Sequence, residues 1–264
     1  MRRAAIGLLV VGLIAAACAP LLTERARTEL AAGGSLRVAL ILSNPVLVEK
    51  DAASGALRGV APSLGRTLAG RLSVPFTPVE YADPAALVDS FDRGEWDVAF
   101  LAFDPARAEQ VAFSPPYMEV DNTFLVPAGS PVEAVDAADR PGVRIGVPAR
   151  SAPDLFLTRS LRQAQLVRVP GGITPALELL SGGGADAYAE NAHLLTLYAA
   201  RLPGSRVLDG RYTVIRHAIA TPRARPSAAV YVSRFVEDAK QDGTVAAAIR
   251  EAELRRVSVA PPAR

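Results

Sequence analysis

From Ser35 onward the chain alternates short apolar runs with segments whose apolar residues recur at helical spacing, and this alternation constrains the fold more than any other feature. A run that is apolar throughout suits a strand buried on both faces, and the stretches between such runs are long enough for helical crossovers. The pattern predicts an α/β protein with largely parallel sheets. Leu36 to Leu42 is the first strand, and Pro62 to Leu72 is a helix carrying Leu64, Leu68 and Leu72 on one face. Phe76 to Tyr81 is a second strand. Asp83 and Pro84 supply an N-cap and a proline at the first helical position, and Gly94 closes that helix. Asp97 to Phe103 reads as a central strand.

The same grammar then returns. Val143 to Val147 is a strand, Ser151 to Asp154 a helix start of capping-box type, and Leu166 to Val169 a strand. Thr174-Pro175 begins a helix that Gly182, Gly183 and Gly184 end, and Ala185 to Ala189 is a further strand. Val214 to Ala220 is extended, and Val232, Phe235, Val236 and Ala239 mark one face of a closing helix that stops near Gly243. Two similar halves follow one another, with no evident repeat in the sequence.

Charge and special residues exclude several classes of function. The net charge is only +2, and Lys and Arg are scattered, so neither a nucleic-acid stripe nor a polybasic membrane patch is present. Cys18 is the only cysteine, which rules out disulfides within the chain and cysteine metal sites. His193 and His217, the only histidines, have no partner at ligand spacing, so no metal is expected. The glycines at 182–184 lack a following Lys-Ser/Thr and form a helix stop, not a phosphate loop. No cofactor is implied.

The N-terminus has the layout of a secretory signal: basic Arg2 and Arg3, an uncharged apolar run from Ala4 to Ala17, and small residues before Cys18. That run is short for a spanning helix. Residues 1–17 therefore read as a signal peptide and the protein as exported to the periplasm. Cys18 resembles the lipidated cysteine of a lipobox, although Ala15 stands where Leu is usual; the alternative is cleavage after an Ala-x-Ala site. Residues 18–34 read as a polar tether.

Three segments carry a resemblance. Gly94-Glu95-Trp96-Asp97-Val98-Ala99 is one, and Asp104-Pro105-Ala106-Arg107 leading to Phe113-Ser114-Pro115-Pro116-Tyr117 is the second. Gly184-Ala185-Asp186-Ala187, running on to Glu190-Asn191, is the third. In this order they resemble the bacterial family 3 extracellular solute-binding proteins, the amino-acid-type binding components of ABC importers. The resemblance implies a type II periplasmic-binding-protein-like fold, two α/β lobes joined by two crossing strands near Glu119 to Asn122 and Ile215 to Ile219. Lobe one would be residues 35–118 plus 218–264, and lobe two residues 119–217. The implied partners are a small carboxylate-bearing or amino-acid-like ligand and an ABC permease, with the protein a monomer and no nucleic acid involved.

The same resemblance assigns the ligand site. Arg107 would grip the ligand carboxylate, for which a planar five-donor fork is suited. Ser151, Ala152 and the amides of that turn would form a second anion cradle at a helix N-terminus. Asn191 stands where relatives that bind α-amino acids carry Asp. An amide supplies no counter-charge to an ammonium, which argues against a standard α-amino acid ligand. Glu190, adjacent on a strand, is expected to face the other way. Ala102 is expected to line the cleft and Phe100 to be core, and Val46 replaces an aromatic that stacks on ligands in the family. Trp96 and Tyr117 read as structural. The leading reading is a receptor without catalytic residues. Two rivals are an enzyme of cyclohexadienyl dehydratase type, with Glu190, Asp104 or Glu119 as general acid, and a periplasmic accessory protein of a membrane system.

Overall fold

Where the sequence is apolar throughout, the chain forms parallel strands, and helices cover them. The computed structural model describes residues 21–263. It begins with a helical segment, α1 (residues 21–30), then β1 (Leu36–Ile41) and the ribbon β2 (Glu49–Lys50) and β3 (Leu57–Arg58). Next come α2 (Val60–Arg71), β4 (Phe76–Tyr81), α3 (Pro84–Val88), β5 (Val98–Ala102), α4 (Pro105–Ala108) and β6 (Val111–Phe113). β7 (Met118–Val126) leads into β8 (Arg144–Pro148), α5 (Ala152–Ser160), β9 (Gln165–Val169), α6 (Ile173–Ser181), β10 (Ala187–Asn191), α7 (Ala192–Ala199) and β11 (Arg206–Val207). β12 (Thr213–Pro222) returns to α8 (Pro226–Gln241), α9 (Thr244–Glu251) and β13 (Val257–Val259).

The strands lie in the order β4-β1-β5-β12-β7-β10-β8-β9, with β6 on β12 and both β11 and β13 on β7. β4, β1 and β5 pair in parallel, as do β10, β8 and β9. The two long strands between these groups, β12 and β7, are antiparallel to each other, with Thr213 opposite Asn122 and His217 opposite Met118. These are the two crossing strands, and they join two α/β lobes. β13 pairs with Met118 to Val120 on β7 and thickens the hinge.

Both lobes use one local device. At the start of β1, Arg37 donates from its backbone N and Nε to Asp97 Oδ2 (2.9 and 3.0 Å), from Nη2 to Asp97 Oδ1 (2.8 Å), and from Nη1 to the Gly94 carbonyl (2.8 Å). At the start of β8, Arg144 makes the same set of bonds to Asp186 Oδ2 (2.8 and 3.2 Å), Asp186 Oδ1 (2.9 Å) and the Gly183 carbonyl (2.7 Å). A bidentate guanidinium–carboxylate pair fixes direction as well as distance. Each lobe thereby locks its first strand to the turn that enters its central strand, a repeat hidden in one Arg and one Gly-x-x-Asp per half.

Several elements differ from the sequence reading. Within the stretch read as a tether, residues 18–34, residues 21–30 are helix and are docked. Ala26 and Leu30 are fully buried in the core, and Glu29 Oε2 accepts from the Ala228 N–H at 2.7 Å, capping α8. Its Arg and Glu residues hide a four-residue apolar spacing that one turn of helix turns inward. The helix after Asp83 ends at Val88, not near Gly94. Ser90 Oγ donates to the Leu87 carbonyl and accepts from Trp96 Nε1, which draws the chain into turns around that buried indole. α9 follows Gly243 directly because that glycine takes a left-handed conformation (φ 83°) that ends one helix and permits the next. The signal segment and Cys18 lie outside the described residues.

Candidate ligand-binding cleft

Between the lobes lies a cleft outside the strand ends, lined by Ala102, Arg107, Ser151, Ala152 and Asn191 together with Asn44, Glu190 and His217. All five site residues named from the sequence therefore meet in one place. The lobes touch across it. Arg159 Nη2 pairs with Asp104 Oδ2 (2.7 Å), and Arg150 Nη1 with Asp89 Oδ1 (2.6 Å).

Arg107 sits on α4, a single helical turn set by its own local sequence. Asp104 Oδ1 accepts from the Ala106 N–H (2.9 Å), and Pro105 takes the first helical position. Arg107 is 4 % exposed. Nη1 donates to the Ala102 carbonyl (3.0 Å) and Nη2 crosses the cleft to the Arg150 carbonyl (2.7 Å), while Nε has no partner among the described residues. No ion pair joins Arg107 to a described carboxylate; nearby Asp104 is held by Arg159. Burial pushes the guanidinium pKa down to about 10, which Asp104 opposes and Arg150 reinforces. A buried cation without a counter-ion is costly, and it is the feature of the cleft that most strongly calls for an anion.

The Ser151 turn offers less than its residue types suggest. Ser151 Oγ accepts from the Asp154 N–H (3.3 Å), and Pro153 has no N–H. Ala152 N–H is what the turn has left for the cleft. Asp154 places its own carboxylate in this first turn, paired with Arg168 Nε (2.9 Å) and accepting from the Arg150 N–H (2.8 Å).

Asn191 caps α7: its Oδ1 accepts from the Leu194 N–H at 2.9 Å. Its Nδ2 and its backbone N–H both donate to Glu190 Oε1, at 3.0 and 2.7 Å. Both polar ends of the side chain are thus engaged by the protein. Glu190 does not face away as strand alternation suggests; it lines the cleft beside Asn191. β10 runs through both residues, and the Glu190 side chain folds back along it so that Oε1 reaches the Asn191 N–H and Nδ2. Burial pushes the Glu190 carboxyl up to about 7, against the two Asn191 donors that favour its charged form.

Other residues are redistributed. Phe100 is core, packed edge-on against Tyr117 at 5.8 Å, while Ala102 faces the cleft. Val46 is fully buried in the core and leaves the cleft wall to Leu47. Trp96 is buried against Phe91 at 5.8 Å. Of the three general-acid candidates, Asp104 is tied up in its cap and ion pair, and Glu119 pairs with Arg216 on the hinge (3.0 Å). Two residues were not expected in the cleft: Asn44, whose buried Oδ1 has no described partner, and His217, which the sequence reading weighed only as a metal ligand. A lone imidazole within the apolar run of a crossing strand was the available signal for His217.

A model of the bacterial extracellular solute-binding proteins, family 3, matches residues 36–251. The chain belongs to this family. A search of curated proteins returned no match. Among solved structures, the solute receptor for L-cysteine of Neisseria gonorrhoeae is similar, with 23% identity, 86% of this chain and 92% of that one covered, and a TM-score of 0.74. A mutant of ArgBP from T. maritima shares 21% identity over 86% of this chain and 99% of its own, TM-score 0.73. The ancestral amino acid-binding protein AncCDT-1, a precursor of cyclohexadienyl dehydratase, shares 21% over 85% and 97%, TM-score 0.72. These likenesses establish the type II periplasmic-binding-protein fold for this family 3 protein. No described helix is long and apolar enough to cross a membrane.

Proposed function

We propose that this protein is the periplasmic solute-binding component of an ABC importer and captures a small carboxylate-bearing, amino-acid-like ligand between its lobes. The observation that carries this reading is Arg107, a buried guanidinium in the cleft with an unpartnered Nε and no ion pair. A carboxylate accepting from Nε–H would supply the missing counter-charge and favour the closed form. Glu190 provides a carboxyl on the other lobe that takes its charge as pH rises through about 7, so an amine on the ligand is accommodated, contrary to what Asn191 alone suggests. The lobes would close about hinges near residues 118/119 and 217/218. The N-terminal segment would direct export, and Cys18 would carry a lipid that keeps the receptor near its permease. A thermal-shift screen of amino acids and matched amine-free acids tests the ligand class. A protein that no carboxylate stabilises is not this receptor.

One observation favours a second reading. Glu190, with a carboxyl held near neutrality in a partly buried cleft, has the property a general acid needs, as in an enzyme of cyclohexadienyl dehydratase type. Turnover of prephenate or arogenate by the purified protein would decide for the enzyme, and binding without turnover for the receptor.

A further inference from the structure

One polar side chain in the cleft has no part in gripping a carboxylate. His217 is 6 % exposed, lines the cavity with Arg107, and makes no side-chain hydrogen bond to any described residue; its Nδ1 is buried and unpartnered. Its position is set by the hinge. On β12 it pairs with Ala102 of β5 and Met118 of β7, and its carbonyl accepts from the Tyr117 N–H at 2.9 Å. Ala102 is also the residue whose carbonyl holds Arg107 Nη1, so one backbone position anchors both side chains. Burying a hydrogen-bonding ring without a partner is unfavourable, and such groups in native proteins call for a specific reason.

We infer that His217 is a second ligand-reading group beside Arg107, taking a hydroxyl or amino substituent adjacent to the ligand's carboxylate, and that it selects such acids over plain alkyl carboxylates. The inference rests on the proposal that the cleft seats a carboxylate. Arg107 Nε–H is a donor and serves the anionic oxygens. A neutral imidazole can accept from the neighbouring hydroxyl or amine. Burial, reinforced by the Arg107 charge, keeps the ring in that neutral form. Asn44 Oδ1 is a further acceptor on the same cavity, and Glu190 a carboxylate from the other lobe, so the ring is one of several groups that meet a donor-bearing ligand.

The chain has two histidines, so labelling its imidazoles with 15N gives a spectrum in which one ring is in the cleft and the other, His193, accepts from the Arg255 N–H outside it. The probes are matched acids bearing amine, hydroxyl or hydrogen: L-alanine, L-lactate and propionate, and L-leucine, L-2-hydroxyisocaproate and 4-methylpentanoate. Binding of an amino or hydroxy acid should move the His217 ring signals and leave those of His193 in place. In calorimetry, His217→Leu should cost about tenfold in affinity for the amino or hydroxy acid and little for the alkyl acid. Unmoved His217 signals in wild-type protein at saturation, or equal weakening of all three acids by His217→Leu, overturns the inference while the carboxylate cleft stands. No binding by any of these acids overturns the carboxylate cleft itself.

Discussion

Arg107 Nη2 donates to the Arg150 carbonyl at 2.7 Å, a bond from one lobe to the other made by the side chain that would also hold the ligand. Arg150 lies in the left-handed region (φ 57°) at the turn between β8 and α5, and Ala102 supplies the second acceptor from lobe one. Two of the guanidinium's nitrogens are thus oriented by backbone carbonyls, and the third has no partner among the described residues.

Replacing this group should be expensive for binding and cheap for folding. Arg107→Ala is expected to cost about 2–5 kcal/mol of ligand affinity, because a buried carboxylate would lose its partner. Arg107→Lys should not rescue it, since a point charge cannot reproduce the fork. Calorimetry that finds either variant within a few-fold of wild type removes Arg107 from the ligand site.

Glu190 gives a pH signature of definite sign. Its carboxyl is raised to about 7 in the folded protein, so the folded state holds a proton that the unfolded chain releases at lower pH. Its burial therefore costs nothing below the ordinary carboxylate range and becomes destabilising as pH rises toward 7 and above, by roughly 3 kcal/mol. Glu190→Gln should be the more stable protein at pH 8, with the gap closing toward pH 4. An amine-bearing ligand should bind wild type better as pH rises through 7 and lose that dependence in the variant. Equal melting curves at both pH values would show that Glu190 is not buried as described.

The docked α1 predicts a loss of stability from a segment whose composition looks like a linker. Leu30→Asp would place an unpaired charge in the core and should lower stability by several kcal/mol, while Glu29→Ala should cost about 1 kcal/mol as a lost cap. Denaturant unfolding of both variants, in protein beginning at Leu21, measures this. Unchanged midpoints would mean that the helix does not hold α8.

Lipidation at Cys18 predicts that the mature protein partitions with membranes and that Cys18→Ser releases it. Wild-type protein found wholly in the soluble periplasmic fraction argues against the lipid and leaves export intact.

The frame of the fold was legible because its strands are buried on both faces, which leaves runs such as Val98 to Ala102 with no polar residue to confuse the period. The turn that carries Arg107 was legible in Asp104 and Pro105, but its place in the cleft came from the family resemblance of residues 104–117, since a local reading alone makes it a surface Arg. Helix α1 was not legible, since two buried residues among charged ones give too faint a stripe. Glu190 was misread because strand alternation fixes where a Cβ points, not where a flexible carboxylate ends, and this one folds back onto the Asn191 donors. His217 depends on register between β12, β5 and β7, a tertiary fact that one strand's sequence does not contain.

The pair of Arg159 with Asp104 joins the two lobes, and parting them breaks it. Arg159 is half exposed, so the pair resembles a surface ion pair and adds up to about 1 kcal/mol to the barrier for opening, a factor of up to roughly five in rate. It acts on dwell time. Salt should shorten the residence of the bound molecule by screening a contact that the molecule never touches, and Arg159→Gln should do the same at any ionic strength.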